Sequence, residues 1–114
     1  MKTDRALVLQ ILESIRRIEV NTSGGPESFM KSDTLQDAVL RNLHVMAEST
    51  QRLSTVAQES QPAVDWRALA AFRNVVVHDY LGVDLELIWL IVKNNVPELK
   101  TAAEAILHDL DRRK

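Results

Sequence analysis

The chain has 114 residues, contains no cysteine and carries a formal net charge of −2 from 14 basic and 16 acidic residues. This length is typical of one domain with its own core, and the lack of thiols excludes disulfides and thiolate zinc sites. The near-neutral charge argues against a protein that binds nucleic acid through a broad basic surface, but not against an enzyme that contacts RNA at one site. We therefore expect a single domain spanning residues 1–114.

Neither a signal peptide nor a membrane span is expected from the hydropathy pattern. The apolar stretch at residues 6–12 is interrupted by Gln10 and is followed by Glu13 instead of a small-residue cleavage site. The longest uninterrupted apolar run, residues 87–92, has six residues, whereas a transmembrane helix needs about 20. The sequence therefore predicts a cytoplasmic protein that makes no use of a membrane.

Helical spacing of apolar residues dominates the first half of the chain. A first helix is expected over residues 4–19, where apolar residues recur at three- and four-residue steps. The glycines and the proline of residues 21–26 break this helix, and Pro26 then predicts a short helical turn over residues 26–31. A second long helix is expected over residues 33–59, about 40 Å long at 1.5 Å per residue.

The second half of the chain predicts three shorter helices. One is expected over residues 66–77, with Asp65 as its N-cap, and the next over residues 85–94, with Asp84 as its N-cap. Pro97 is then expected to open a fifth helix, since proline is favoured at a first helical position. The complete pattern predicts an all-α, antiparallel bundle of about five helices.

The candidate catalytic residues are concentrated in one short stretch, Arg73-Asn74-Val75-Val76-Val77-His78-Asp79-Tyr80. Arg73 supplies a permanent positive charge, and His78 supplies an imidazole that titrates near neutral pH. RNA cleavage without a metal needs one group to take the proton of the ribose 2′-hydroxyl and another to protonate the leaving 5′-oxygen. It also needs a cation to stabilise the phosphoryl oxygens. By spacing alone, however, an arginine and a histidine near a helix end are more often surface charges.

Arg73 and His78 would not share one face of a regular helix. Five steps turn the chain by about 500°, which leaves the two positions roughly 140° apart. Either the helix loosens at residues 75–77, whose β-branched side chains have mediocre helix propensity, or a second subunit completes the site. A two-fold homodimer in which the two His78 side chains face each other would also supply a separate acid and base.

Other polar residues have candidate supporting roles around the motif. Asn74 lies four residues before His78, where it would either orient the imidazole or be exposed. Asp79 would orient His78 or repel the substrate. Arg41 and Asn42, on the second long helix, would support the site or contact RNA, unless they are simply a solvated polar pair.

The expected chemistry needs neither a metal nor an organic cofactor. His44 and Glu48 are one helical turn apart and are the best candidates for a metal pair. Two ligands are too few for a metal site, so we expect none.

Over almost its whole length, the sequence resembles the HepT-like branch of the HEPN superfamily. This branch is marked by the motif Arg-x4-His-x-Tyr, which here runs from Arg73 to Tyr80. Three flanking segments are also similar to the family: Asp37-Ala38-Val39-Leu40-Arg41-Asn42-Leu43, Trp66-Arg67 and Gly82-Val83-Asp84. The sequence departs from many relatives at His44 and Ala47, where an acidic residue and a glycine are common, and at Asp79.

The resemblance implies a helical bundle, a homodimer with the motif near its interface, and ribonuclease activity carried by Arg73 and His78. It also implies a partner, a minimal nucleotidyltransferase antitoxin, with which the protein would form a hetero-oligomer. The antitoxin would adenylylate Tyr80 and so place negative phosphate and bulk where RNA phosphate should bind.

Two other functions remain open from the sequence. One is a non-catalytic HEPN module that binds a nucleotidyltransferase or a nucleotide, and the other is a dimeric bundle without a ligand. RNA cleavage in the presence of EDTA would distinguish a metal-independent endoribonuclease toxin from both.

Overall fold

The computed structural model describes residues 3–78 and 84–112, and for residues 73–78 it describes the backbone. The described residues form six helices and no strand, which confirms the all-α prediction. In chain order the helices are α1 (Asp4–Thr22), α2 (Pro26–Lys31), α3 (Asp33–Arg52), α4 (Thr55–Glu59), α5 (Trp66–His78) and α6 (Leu85–Arg112). None of the described helices is both long and apolar enough to cross a bilayer.

The helices begin where a short polar side chain satisfies backbone amides of the first turn. Asp65 caps α5 as predicted, because its Oδ1 accepts a hydrogen bond from the Ala68 amide at 3.0 Å. Asp84 caps α6 by accepting from the Glu86 amide at 3.0 Å. Hydroxyl side chains cap three other helices in the same way: Thr3, Ser32 and Ser54.

The prediction of one long helix over residues 33–59 is wrong. Helix α3 ends at Arg52, Leu53 adopts an extended backbone conformation with ψ 146°, and Ser54 caps the separate helix α4. The carboxylate of Asp4, at the start of α1, accepts hydrogen bonds from the Ser54 amide at 2.9 Å and from its hydroxyl at 2.6 Å. A continuous helix would use the Ser54 amide internally, so this distant contact favours the break.

The prediction that one helix ends at residue 94 and another opens at Pro97 is also wrong. Helix α6 continues through Pro97, which lies inside it. Proline has no amide to donate to the carbonyl four residues earlier, so it weakens the helix at this point. Val96 and Leu99 on either side of it are buried, and α6 packs against α1. This apolar burial offsets the cost of the proline.

The core lies between α1, α3 and α6, because α1 packs against both of the other two helices. Helix α1 presents the apolar stripe predicted from its spacing, and Ile11, Ile15 and Ile18 are all buried. Phe29 on the short helix α2 is fully buried, and its ring centroid lies 5.5 Å from that of Trp89 on α6. This contact closes one end of the bundle.

Helix α5 lies against α3 and runs antiparallel to it. The Gln51 side-chain amide, in the last turn of α3, donates to the Trp66 carbonyl at 3.5 Å, so α5 starts where α3 ends. From this point α5 packs back along α3. The C-terminal end of α5 is therefore level with the middle of α3.

Candidate functional site

Helix α5 carries the first six residues of the motif at its C-terminal end. The start of α5 is anchored by Trp66, whose indole N–H donates to the carbonyl of Gln58 at 3.0 Å and to that of Gln61 at 3.2 Å. Leu69, one turn further along, is buried in the core. The first half of α5 is thus held against the bundle, and the motif follows directly from it.

The backbone remains α-helical through His78. Loosening of the helix at residues 75–77, one of the two predicted ways to bring Arg73 and His78 together, is therefore not found. On a continuous helix the two positions lie roughly 140° apart around the axis. A single α5 does not place Arg73 and His78 on one face.

The register of α5 assigns the two positions to different sides of the helix. Position 73 lies one turn after Leu69, which is buried. His78 lies two turns after Ala71 and three turns after Arg67, both of which are exposed. The predictions for the side chains of Arg73, Asn74 and His78 stay predictions, and those for Asp79 and Tyr80 concern positions outside the described residues.

Arg41 lies on α3, the helix against which α5 packs. It precedes Gln51 by ten residues, and position 76 follows Trp66 by ten residues. Because Gln51 and Trp66 are in contact and the two helices run in opposite directions, Arg41 is level with position 76. Arg41 is exposed and lies at a height between the levels of Arg73 and His78.

Asn42 has a different environment from Arg41. It is half-buried, and its side-chain amide donates to the Ala38 carbonyl of its own helix at 2.8 Å. Such back-bonding is common for asparagine within a helix. The geometry thus favours a structural role for the Asn42 amide, whereas Arg41 presents its side chain to solvent.

His44 and Glu48, the pair considered as metal ligands, line a groove between α1 and α3 together with Gln10 and Arg52. The Arg52 guanidinium lies 4.0 Å from the Glu48 carboxylate. Among the side chains of residues 3–72 and 84–112, no group of three or more histidine, aspartate or glutamate residues is arranged to hold a metal ion.

A groove lined mainly by apolar residues separates α5 from the first half of α6, and it continues onto an exposed apolar ridge. Leu87 and Leu90 on α6 are 46% and 55% exposed, which is high for leucine. We call Phe72, Leu87, Leu90 and Ile91 the α5–α6 face. The groove itself is lined by Ala68, Leu69, Phe72, Ile91 and Asn95.

Sequence reasoning missed the α5–α6 face, although a signal was present. Residues 87–92 form an unbroken apolar run, so the start of α6 is apolar almost all the way around its axis. One side of this segment packs inward through Ile88 and Val92, which are buried. A helix segment that is apolar on its outer side as well is normally covered by something else.

Helix α1 carries a cluster of charged side chains that is not part of the motif. Glu13 is held between two arginines, and hydrogen bonds from Arg16 and then Arg17 lower the pKa of its carboxyl from 4.5 to about 2. The distances are 2.7 Å from Arg16 Nε and 3.2 Å from Arg17 Nε. All three side chains are exposed, so this cluster neutralises surface charge and stabilises the fold little.

Comparison with known proteins places this helical bundle in a family. The model of the HepT-like ribonuclease family matches residues 11–106, which include Arg73, His78 and Tyr80. The chain therefore belongs to the HepT-like ribonuclease family. No solved structure gives a significant match.

Several relatives with descriptive names align over most of the chain. A protein of Methanocaldococcus jannaschii named "Gamma-glutamylcyclotransferase and putative RNase" is 36% identical over 100% of this chain and 52% of its own length. The chain thus spans about half of that relative. A "Putative RNase" of the same organism is 31% identical over 90% of this chain and 94% of the relative. The "Probable ribonuclease HepT" of Thermococcus cleftensis is 31% identical over 70% of this chain and 73% of the relative.

Proposed function

We propose that this protein is a cytoplasmic, metal-independent endoribonuclease toxin that cleaves RNA with Arg73 and His78 and is neutralised by a nucleotidyltransferase antitoxin. The observation that carries the proposal is the Arg-x4-His spacing at the end of α5 in a member of the HepT-like ribonuclease family. The names of the relatives support a ribonuclease as the class of enzyme.

The proposed reaction is an internal displacement at one phosphate of the RNA backbone. One imidazole takes the proton of the 2′-hydroxyl, and the 2′-oxygen forms a bond to phosphorus. The bond between phosphorus and the 5′-oxygen breaks, and a second acid gives that oxygen a proton. The Arg73 guanidinium stabilises the charge on the non-bridging oxygens. The products are a 2′,3′-cyclic phosphate and a 5′-hydroxyl.

A homodimer explains how Arg73 and His78 act together. The continuous helix α5 separates the two positions by roughly 140°, so groups from two subunits would converge on one phosphate. Two His78 side chains related by a two-fold axis would act as the base and the acid. The exposed α5–α6 face lies beside the motif helix and supplies an apolar surface that a second copy would cover.

Regulation is proposed to act on Tyr80. Transfer of an adenylyl group from ATP would form a bond between the phenol oxygen and the α-phosphorus and release pyrophosphate. The added phosphate would repel the RNA backbone close to His78. Co-expression with a neighbouring nucleotidyltransferase should give a mass increase that maps to Tyr80 and is absent from the Tyr80→Phe variant.

Cleavage assays on purified protein test the catalytic roles. RNA should be cut in the presence of EDTA, and Arg73→Ala and His78→Ala should each reduce the rate at least about 100-fold. His108→Ala is a matched control, because His108 is an exposed histidine near the end of α6. Circular dichroism establishes that each variant is folded.

The outcomes separate the candidate functions. If folded Arg73→Ala and His78→Ala proteins cut RNA as fast as the parent, the catalytic assignment is wrong. A parent that binds a nucleotidyltransferase but cuts no RNA would instead be a non-catalytic module. Mixed dimers of His78→Ala with the parent keep a single His78 and should have little activity, because the proposed reaction needs one imidazole from each subunit.

A further inference from the structure

Most arginines in the described part of the chain are neutralised by a carboxylate. These pairs join the guanidinium to the carboxylate at distances of 2.7 to 4.0 Å. They are Arg5 with Asp111, Arg16 and Arg17 with Glu13, and Arg52 with Glu48. The protein has a net charge of −2, so carboxylates are available to pair with its arginines. An arginine that lacks such a pair is therefore a candidate for binding an anionic ligand.

Arg41 and Arg67 are exposed and have no ion-pair or hydrogen-bond partner among the side chains that the structure describes. Arg112, in the last turn of α6, shares this property. A cation in the last turn of a helix is stabilised by the negative end of the helix dipole, which accounts for Arg112. Arg41 and Arg67 lie away from the last turns of their helices, so this explanation does not apply to them.

Arg67 is aligned with His78 along α5. The two positions are eleven residues apart on a continuous helix. Eleven steps turn the chain by about 1,100°, so the positions share one side of the helix within about 20°, and they are about 16 Å apart along the axis. Arg67 thus lies a few nucleotides away from a phosphate held at His78.

Arg41 lies on the neighbouring helix α3. Its position on α3 is level with position 76 of α5, because the Gln51–Trp66 hydrogen bond sets the alignment of the two antiparallel helices. Its side chain is exposed. Arg41 is therefore close to the height of His78 on the neighbouring helix, and Arg67 is about 16 Å from His78 along α5.

We infer that Arg41 and Arg67 bind backbone phosphates of a single-stranded RNA that extends beyond the cleaved linkage. Arginine suits this role because its planar guanidinium donates two parallel hydrogen bonds to a phosphate and keeps its charge at all physiological pH values. An arginine without a carboxylate partner on the protein surface need not break an ion pair to do so. The inference rests on the proposed ribonuclease function and names single-stranded RNA longer than a dinucleotide as the preferred substrate.

The salt dependence of binding tests this inference on the full chain. The probe is a 2′-O-methyl RNA oligonucleotide, which lacks the attacking hydroxyl, and binding is followed by fluorescence anisotropy at several salt concentrations. Each phosphate contact adds about 0.7 to the slope of log K against log salt for a single strand. Arg41→Gln and Arg67→Gln should each lower that slope by about 0.7 and weaken binding about threefold or more.

Arg112→Gln is the matched control, because it changes the net charge equally at the far end of α6. It should leave both the slope and the affinity at the values of the parent. As a second readout, the ratio of kcat/KM for a cleavable oligonucleotide to that for a dinucleotide should fall in Arg41→Gln and Arg67→Gln. A merely structural role would lower both rates together and leave the ratio unchanged.

The outcomes distinguish this inference from the proposed function. A parent that neither cuts nor binds RNA would end both. If the parent cuts RNA but Arg41→Gln and Arg67→Gln keep its salt slope, only the phosphate contacts are wrong. Equal weakening by Arg112→Gln would also overturn them, because the effect would then come from net charge alone.

Discussion

At the scale of single residues, Asp4 links two parts of the chain that are fifty positions apart. Its carboxylate accepts from the amide and the hydroxyl of Ser54. The Ser54 hydroxyl oxygen in turn accepts from the Ala57 amide at 3.1 Å and so caps α4. One aspartate at the start of α1 therefore holds the junction between α3 and α4.

Replacing Asp4 with alanine should destabilise the fold by about 1 to 2 kcal/mol, because both hydrogen bonds to Ser54 would be lost. The free energy of unfolding can be measured by urea denaturation. Asp33→Ala is the matched control, since Asp33 is also the first residue of its helix but makes no hydrogen bond to a distant residue in the described structure. A loss of equal size in both variants would mean that only the helix dipole is involved.

At the scale of secondary-structure elements, α6 shows how packing overrides a helix breaker. The helix has 28 residues and includes Pro97. Val92 and Val96 before the proline and Leu99 and Ala103 after it are all buried. Because these residues lie on one continuous stripe against α1, ending the helix at residue 94 would expose part of that stripe.

Pro97→Ala should stabilise the protein by roughly 2 kcal/mol. The alanine amide can donate to the Lys93 carbonyl, which recovers about 3 kcal/mol of helix stability, and the greater freedom of the unfolded chain takes back up to about 1 kcal/mol. The denaturation midpoint measures the change. Glu98→Ala, at the next exposed position of the same helix, should shift the midpoint little. A lower midpoint for Pro97→Ala would show that the proline ring itself stabilises the native packing.

At the scale of the whole molecule, the exposed apolar residues are distributed unevenly. Leu87 and Leu90 lie together on the α5–α6 face, next to the helix that carries the motif. Val56 is more exposed than either of them, at 68%, but lies on α4. A clustered pair beside a groove is a better candidate for an interface than a single exposed side chain.

Leu90→Glu should therefore convert a dimeric parent into a monomer and abolish RNA cleavage, because a buried carboxylate at the interface would lack a partner. Sedimentation velocity measures the first effect, and the cleavage assay measures the second. Val56→Glu adds the same charge at another exposed apolar position and should remain dimeric and active. A Leu90→Glu protein that stays dimeric and cuts RNA would move the interface away from the α5–α6 face.

The sequence alone determined the helical class, the residue at which five of the six described helices begin, and the location of the motif. These features depend on local patterns: the spacing of Leu7, Ile11 and Ile15, the caps Asp65 and Asp84, and the spacing of Arg73 and His78. Each acts within a few turns of helix, so it can be interpreted without knowing which elements are neighbours. The 140° separation of Arg73 and His78 follows from the same local geometry once α5 is known to be continuous.

The tertiary structure alone decided where α3 ends, that α6 continues through Pro97, and that Arg41 is level with the motif. Each of these depends on a contact between residues far apart in the chain: Asp4 with Ser54, α6 with α1, and Gln51 with Trp66. Such contacts compete with local propensity, and their contribution appears only when the elements are packed together. The exposure of Leu87 and Leu90 is of the same kind, because a hydropathy pattern shows that a residue is apolar but not whether a neighbouring helix covers it.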